Sequence, residues 1–288
     1  MKEYISTIEA AKKLKVSDRT IRRYCASGLI DGAVISGKTW LIPKDFVFND
    51  RDLISVLLDQ KKNGIKGGIY NKLQVDFAFN SNHIEGSRLS HDETRLIYET
   101  KTIGSKSNRV DDIFETVNHF SCFDYVLDNY KKELSEQIIK NLHKILKTST
   151  LSSKSKEAVV GDYKKYKNFV GNMETSLPSK VSTDINKLLD SYNKKEVHTL
   201  EEILDFHAKF EKIHPFYDGN GRVGRLIIFK ECLKSNIVPF IIDDKYKYEY
   251  YNGLESWQKG KSKNYLIQTC LLMQDNMKLL LDYFEIRY

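Results

Sequence analysis

The feature that most constrains the fold is a helical spacing of apolar residues, which returns along most of the chain. Apolar side chains recur every three or four positions in residues 117–130, 138–146, 185–192, 203–213 and 266–284. Only four prolines occur in the 288 residues, and proline is the residue that most strongly interrupts a helix. We therefore predict a mainly α-helical protein.

Composition limits the class of protein. The longest apolar runs, residues 226–229 and 237–242, are too short to cross a bilayer, and the N-terminus lacks the apolar core of a signal peptide. The four cysteines show no paired spacing. We therefore expect a cytoplasmic protein with reduced thiols and no membrane contact. The formal net charge of +7 permits a nucleic-acid partner without requiring one.

The first 48 residues have the pattern of a separate small domain. Two predicted helices, residues 7–14 and 18–27, are followed by a predicted β-hairpin with Lys38 at its tip. This layout resembles the winged helix-turn-helix domains of the MerR and excisionase type. The resemblance implies that the second helix and the hairpin tip bind DNA phosphates and base edges. The residues concerned are Arg19, Thr20, Arg22, Arg23 and Lys38. The same surface would also suit a protein partner or the rest of this chain.

One segment, HPFYDGNGRVGR at residues 214–225, joins two predicted helices. Its glycines let the backbone approach a phosphate, and free N–H groups at a helix start bind anions. Arg222 and Arg225 are three residues apart and share one helix face. Asp218 offers a hard oxygen for Mg²⁺, and His214 can accept a proton near neutral pH. These residue types together predict nucleotidyl or phosphoryl transfer to a hydroxyl group.

Two other interpretations of this segment remain. Residues 219–224 formally match the GxGxxG pattern of dinucleotide-binding folds, with Asp243 and Asp244 about 20 residues further on. That pattern must follow a buried strand, whereas an amphipathic helix is predicted here. A glycine-rich surface turn would leave the histidine, the aspartate and the two arginines of the segment unexplained.

The segment also matches the signature of the Fic family, HxFx[D/E]GNGRxxR, at every fixed position. The resemblance covers about residues 65–288, so residues 49–288 are expected to form a helical Fic domain with a small β-hairpin flap. It implies that His214 takes the proton from a Ser, Thr or Tyr hydroxyl, which attacks the α-phosphate of ATP. Asp218 would hold Mg²⁺ or Mn²⁺. The phosphate-binding residues it implies are Gly219, Asn220, Gly221, Arg222 and Arg225, the last on the γ-phosphate.

The resemblance also suggests where the target and the adenine lie. Gly161, Tyr163, Lys164 and Val170 correspond to a flap that aligns the target's backbone, although family members often carry Arg where this chain has Lys164. Tyr250, Tyr251 and Gln258 correspond to the adenine side, with Gln258 at a position where Asn is common. Both departures bear on target choice and nucleotide preference.

An inhibitory motif precedes the core. Ser81, Glu85 and Gly86, at the end of a predicted helix over about residues 71–86, match the family pattern [S/T]xxxE[G/N]. Without the Fic signature, Glu followed by Gly is a common helix ending. Because the chain also carries the Fic signature, the resemblance implies that Glu85 competes with the γ-phosphate for Arg225. Bound ATP would then have its α-phosphate turned away from in-line attack.

These residues leave three functions open. The first is a self-inhibited enzyme that transfers AMP from ATP to a hydroxyl of a protein target, with the enzyme itself among the targets. The second is a DNA-binding transcriptional regulator whose Fic-type domain senses nucleotide. The third is a transferase that uses another nucleotide donor, or that removes AMP from targets. An oligomer is compatible with each.

Overall fold

The structure is a computed structural model that describes residues 3–26, 29–47, 52–103, 109–154, 159–171 and 173–288. It is mainly helical, which confirms the predicted fold class. The chain divides into two compact units. The first comprises Met1–Val56 with Leu281–Tyr288, and the second comprises Leu57–Leu280. The predicted boundary between residues 48 and 49 lies outside the described residues.

The first unit combines two helices with a small antiparallel sheet. Its elements are β1 (Tyr4–Ile5), α1 (Thr7–Leu14), α2 (Asp18–Ala26), β2 (Val34–Ser36) and β3 (Thr39–Pro43). The sheet has the order β1-β3-β2, and Ser36 pairs with Thr39 across the hairpin turn. The two helices and the hairpin confirm the predictions, although the predicted end of the second helix at residue 27 lies outside the described residues. Strand β1, which is two residues long, was not predicted.

Helices form most of the second unit. The helices are α3 (Leu53–Asn63), α4 (Ile69–Ile84), α5 (His91–Thr100), α6 (Val110–Asn129), α7 (Glu136–Lys147), α8 (Pro178–Tyr192), α9 (Leu200–Ile213), α10 (Asn220–Lys234), α11 (Lys247–Gln258) and α12 (Asn264–Tyr283). A hairpin of β4 (Phe169–Val170) and β5 (Met173–Glu174) lies between α7 and α8. In the described ranges, no helix has both the length and the apolar character needed to cross a membrane.

An aromatic cluster fixes α4 against the centre of the second unit. The ring of Phe77 on α4 lies 6.2 Å from that of Phe123 on α6 and 5.4 Å from that of Phe229 on α10. All three side chains are fully buried, and large buried aromatic rings contribute strongly to packing. This packing brings α4 alongside α10, so the end of α4 reaches the start of α10, where the glycine-rich segment lies.

Candidate active site

The segment between α9 and α10 is a tight loop held by its own side chains. His214 ends α9 in the left-handed conformation, with φ of 51°, and Gly219 precedes α10 with φ of 84°. The Asn220 side chain accepts a hydrogen bond from the backbone N–H of Phe216 at 2.8 Å and donates one to its carbonyl at 2.9 Å. The glycines thus follow a helix, α9. A dinucleotide-binding fold needs a buried strand at that place.

His214, the first residue of this loop, is partly buried. Its Nδ1 is buried and has no hydrogen-bond partner among the described residues. Burial, together with the charge of Lys164, lowers the pKa of His214 to about 4. The imidazole is therefore neutral at pH 7, as a general base requires.

Arg225 is held by the end of α4. Its Nε donates to Ser81 Oγ at 3.0 Å, and its Nη2 donates both to the Ser81 carbonyl at 2.9 Å and to Glu85 Oε1 at 2.8 Å. The Arg225 side chain is only 2% exposed, whereas that of Glu85 is 27% exposed. Burial raises the pKa of Glu85, but Arg225 and Arg222 outweigh burial and lower it overall. The pair is therefore ionised at neutral pH.

The Glu85 carboxylate lies at the start of α10. A Cβ atom added to Gly221 would lie 2.3 Å from Glu85 Oε1 and 3.0 Å from Arg225 Nη1, so a side chain at this position would displace the Glu85 carboxylate. Nη1 is buried and lacks an acceptor in the described part of the chain. The start of a helix together with an arginine is a favourable site for an anion. Glu85 supplies that anion from within the chain.

Asp218, the predicted metal ligand, lies between two cations. Its Oδ2 accepts from Lys147 Nζ at 2.6 Å, and its Oδ1 is 3.4 Å from Arg222 Nη2. Glu115 binds the same two cations from the other side. Burial raises the pKa of Asp218, but Arg222 and Lys147 outweigh it and lower the pKa to about 2.

One histidine links the loop to the predicted flap. His143 Nδ1 accepts from the backbone N–H of Gly161 at 3.0 Å, and its Nε2 lies 3.1 Å from the Asp218 carbonyl. The ring stacks on Phe216 with the centroids 3.9 Å apart. Because Nδ1 accepts, Nε2 carries the proton and donates to the carbonyl. His143 therefore connects Gly161 to the loop between α9 and α10.

The flap places its residues in different environments. Val170 is exposed on β4, and the Tyr163 ring lies 5.8 Å from that of Phe216. The Lys164 side chain is buried and donates to Asn168 Oδ1 and Thr175 Oγ1 at 2.7 and 2.6 Å. Its ammonium is hydrogen-bonded inside the protein, and the role of the flap in aligning a target stays a prediction. The Lys164 backbone N–H donates to the Pro215 carbonyl and ties the flap to the loop.

On the predicted adenine side, the three residues also differ. Tyr250 is 1% exposed, and its hydroxyl is 2.6 Å from His207 Nε2. A ring buried in this way offers no face to a base, which corrects the expectation for Tyr250. Tyr251 is 38% exposed and remains the tyrosine of the pair that a base can reach. The Gln258 side chain donates to the Ala208 carbonyl at 3.0 Å and so joins α11 to α9.

In the first unit, the predicted DNA-binding cations are on the surface. Arg19, Arg22, Arg23 and Lys38 are exposed, and Arg22 Nε donates to Asp18 Oδ2 at 2.8 Å on the same helix. The Thr20 hydroxyl lies 2.7 Å from Ser17 Oγ, at the start of α2. Four cations on α2 and the hairpin turn are therefore accessible to solvent.

Comparison with known proteins agrees with this geometry. Residues 133–231 match the model of the Fic/DOC family. The chain contains a Fic domain. Residues 4–46 match the model of a helix-turn-helix domain, so the Fic domain follows a helix-turn-helix domain in this chain, as predicted.

Several curated relatives of the Fic domain are named protein adenylyltransferases. The Aedes aegypti protein adenylyltransferase Fic is 25% identical over 193 residues, which are 65% of this chain and 37% of that protein. A probable protein adenylyltransferase of Aquifex aeolicus is 33% identical over 72 residues, which are 25% of this chain and 22% of that protein. The matched region thus spans well under half the length of these relatives.

Solved structures share the fold of the Fic domain. A Fic domain containing signaling protein from Bacteroides thetaiotaomicron superposes with a TM-score of 0.62 at 22% identity, over 78% of this chain and 93% of that one. Fic-1 from Caenorhabditis elegans superposes with a TM-score of 0.63 at 18% identity, over 80% of this chain and 70% of that one. At these identities the similarity establishes the fold.

Proposed function

We propose that this chain is a self-inhibited protein adenylyltransferase that transfers AMP from ATP to a Ser, Thr or Tyr hydroxyl of a protein. The observation that carries the proposal is the 2.8 Å pair between Arg225 and Glu85 at the start of α10. A carboxylate occupies the environment that an arginine and a helix start provide for a phosphate. The match to the Fic/DOC model and the adenylyltransferase names of the relatives support the same activity.

The residues of the loop divide the chemistry. His214, neutral because its pKa is lowered to about 4, takes the proton of the attacking hydroxyl. The hydroxyl oxygen bonds to the α-phosphorus of ATP, and the bond to the bridging oxygen of pyrophosphate breaks. The backbone N–H groups at residues 219–221, with Arg222, hold the phosphates, and Arg225 binds the γ-phosphate once Glu85 leaves it. Positioning and charge provide most of the rate enhancement in transfers of this kind.

Asp218 fits a divalent cation that arrives with the nucleotide. Its side chain is 50% exposed and ionised at neutral pH, and Mg²⁺ commonly binds one or two carboxylates together with substrate phosphates. Across the described ranges, no group of three or more His, Cys, Asp and Glu side chains could hold a metal by itself. When bound, Mg²⁺ would neutralise charge on the leaving pyrophosphate. Lys147 and Arg222 orient the carboxylate that would hold it.

The test is label transfer from α-labelled ATP with Mg²⁺. We expect Glu85→Gly to raise labelling of the protein itself strongly over wild type, and Glu85→Gly combined with His214→Ala to abolish it. Glu85→Gln, which keeps the shape and removes the charge, should give an intermediate rise. Parallel reactions with labelled UTP and GTP distinguish other donors, and pre-labelled protein distinguishes removal of AMP.

The proposal would be contradicted if wild type and Glu85→Gly were both labelled at the same low level although both bind ATP. That outcome would favour the nucleotide-sensing regulator. If UTP or GTP labels the protein and ATP does not, the chain would still be a transferase, with a different nucleotide donor.

We further propose that the first unit binds DNA through α2 and the hairpin turn. The helix-turn-helix match and the exposed cations on these two elements support this role. The test is a gel shift on DNA from the chain's own promoter region at several salt concentrations, with Arg22→Ala/Arg23→Ala as the variant and Lys62→Ala as the matched control. We expect binding that weakens with salt and with the double substitution. Binding that is absent at low salt would exclude the role on that DNA.

A further inference from the structure

Asp218 belongs to a closed ring of four alternating charges, which we call the charge ring. Glu115 from α6 is 2.5 Å from Lys147 Nζ, at the end of α7, and its other oxygen pairs with Arg222. Lys147 Nζ in turn lies 2.6 Å from Asp218 Oδ2, and Arg222 Nη2 lies 3.4 Å from Asp218 Oδ1. The ring contains two carboxylates and two cations, so it is formally neutral.

Burial in the charge ring is strongly uneven. The side chains of Lys147 and Arg222 are each 4% exposed and that of Glu115 is 12% exposed, whereas that of Asp218 is 50% exposed. A buried cation cannot leave its carboxylates without a large penalty. Lys147 and Arg222 therefore stay beside Asp218, and Asp218 is the one member that offers an oxygen to a ligand from solvent.

This arrangement disfavours the binding of a divalent metal ion to Asp218 in the absence of a nucleotide. A divalent cation on the solvent side of Asp218 meets two fixed positive charges behind the carboxylate, and the neutral ring has no spare negative charge to offset them. A polyphosphate brings several negative charges to the same place. Arg222 and Lys147 then become favourable neighbours of the complex.

Building on the proposed function, we propose that Lys147 is a positioning residue that makes Asp218 take up a divalent cation together with a polyphosphate and disfavours the free ion. The Lys147 ammonium acts by neutralising and orienting Asp218 Oδ2. Glu115 has the opposite effect, because it offsets the charge of Lys147 and Arg222. The two residues should therefore change metal affinity in opposite directions.

The size of the effect follows from Coulomb's law. A doubly charged ion about 5 Å from a single positive charge in a water-like dielectric is disfavoured by about tenfold in affinity. Removing the ammonium should therefore tighten binding of the free ion by about tenfold. With a bound polyphosphate the phosphates hold the ion, and we expect the difference to shrink to about threefold or less.

The experiment measures Mn²⁺ binding to the full chain by electron paramagnetic resonance, with and without a non-hydrolysable ATP analogue. We expect Lys147→Met to tighten Mn²⁺ binding without nucleotide, Lys147→Arg to leave it as in wild type, and Glu115→Gln to weaken it. Asp218→Asn should abolish the Mn²⁺ binding that is measured without the nucleotide analogue. Thermal unfolding of each variant reports whether it is folded.

Three results without the nucleotide analogue would overturn the proposal: equal Mn²⁺ affinity in wild type and Lys147→Met, a gain in Lys147→Arg as large as in Lys147→Met, or Mn²⁺ binding that persists in Asp218→Asn. If Lys147→Met does not fold, an unchanged affinity in Glu115→Gln overturns it. Label transfer separates this proposal from the function it builds on. Transfer without the affinity changes contradicts the role of Lys147 alone, and the affinity changes without transfer contradict the adenylyltransferase activity alone.

Discussion

Removing the Glu85 carboxylate should destabilise the Fic domain in a way that ATP reverses. Arg225 is 2% exposed, and in Glu85→Gln it keeps the two acceptor groups of Ser81 but loses its only anionic partner among the described residues. A hydrogen bond to a charged group contributes about 1.5–3 kcal/mol. Because the Glu85 side chain is 27% exposed, solvent screening reduces this to about 1–2 kcal/mol.

The expected shift is measurable. For a domain of this size, 1 kcal/mol corresponds to about 2–4 °C in melting temperature, so we expect Glu85→Gln to melt about 4 °C below wild type. If the γ-phosphate takes the place of the carboxylate, the variant should bind an ATP analogue about five- to thirtyfold more tightly than wild type. At a saturating concentration of the analogue, the two proteins should then melt at the same temperature.

The assay is thermal unfolding followed by circular dichroism with no ligand, with a non-hydrolysable ATP analogue and with ADP. ADP lacks the γ-phosphate, so it should leave the difference between the proteins in place. Glu255→Gln is the matched control. It makes the same substitution in an exposed pair with Lys259, where solvent screens the charges and we expect no measurable change in melting temperature. Equal melting temperatures without ligand, or an equal effect of ADP and the ATP analogue, would refute the competition for Arg225.

Three further predictions concern single groups. Arg222→Ala in the Glu85→Gly background should lower the transfer rate on the order of hundreds-fold, because a preorganised charged donor is lost; a rate near that of the parent would exclude this role. Transfer by Glu85→Gly should continue as pH falls through 6, because the base needs His214 unprotonated and its pKa is lowered to about 4; a loss of kcat/KM near pH 6.5 would contradict this. Burial raises the pKa of Glu211 from 4.5 to about 8, so its contribution to folding stability is present below pH 4.5 and is lost as pH rises through 8. Denaturant unfolding should show that Glu211→Gln removes this dependence, and an identical pH dependence in the two proteins would argue against it.

The part of the site that could be predicted from the sequence is a single continuous segment. Residues 214–225 form their loop through local backbone conformations, namely the left-handed residues at its two ends and the Asn220 side chain. The pairing of Glu85 with Arg225 spans 140 residues, and only the resemblance to a known inhibitory motif linked them in advance.

Other members of the site could not be predicted in this way. Glu115, His143 and Lys147 reach the loop because α6 and α7 pack beside α10, and no local spacing indicates that they do. Sequence position also could not tell Tyr250 from Tyr251, since adjacent residues on a helix point in different directions and only the packing of α11 decides which is buried.

For the proposed transferase, the position of His143 has a consequence for target choice. Its imidazole lies between Gly161 and the loop that joins α9 to α10, and it makes a hydrogen bond to each of them. Because the ring is rigid, these two hydrogen bonds favour one spacing between the backbone at Gly161 and the loop. Changes in target preference should therefore accumulate further along the flap, around the exposed β4–β5 hairpin, where side chains can vary while the reacting atoms keep their spacing.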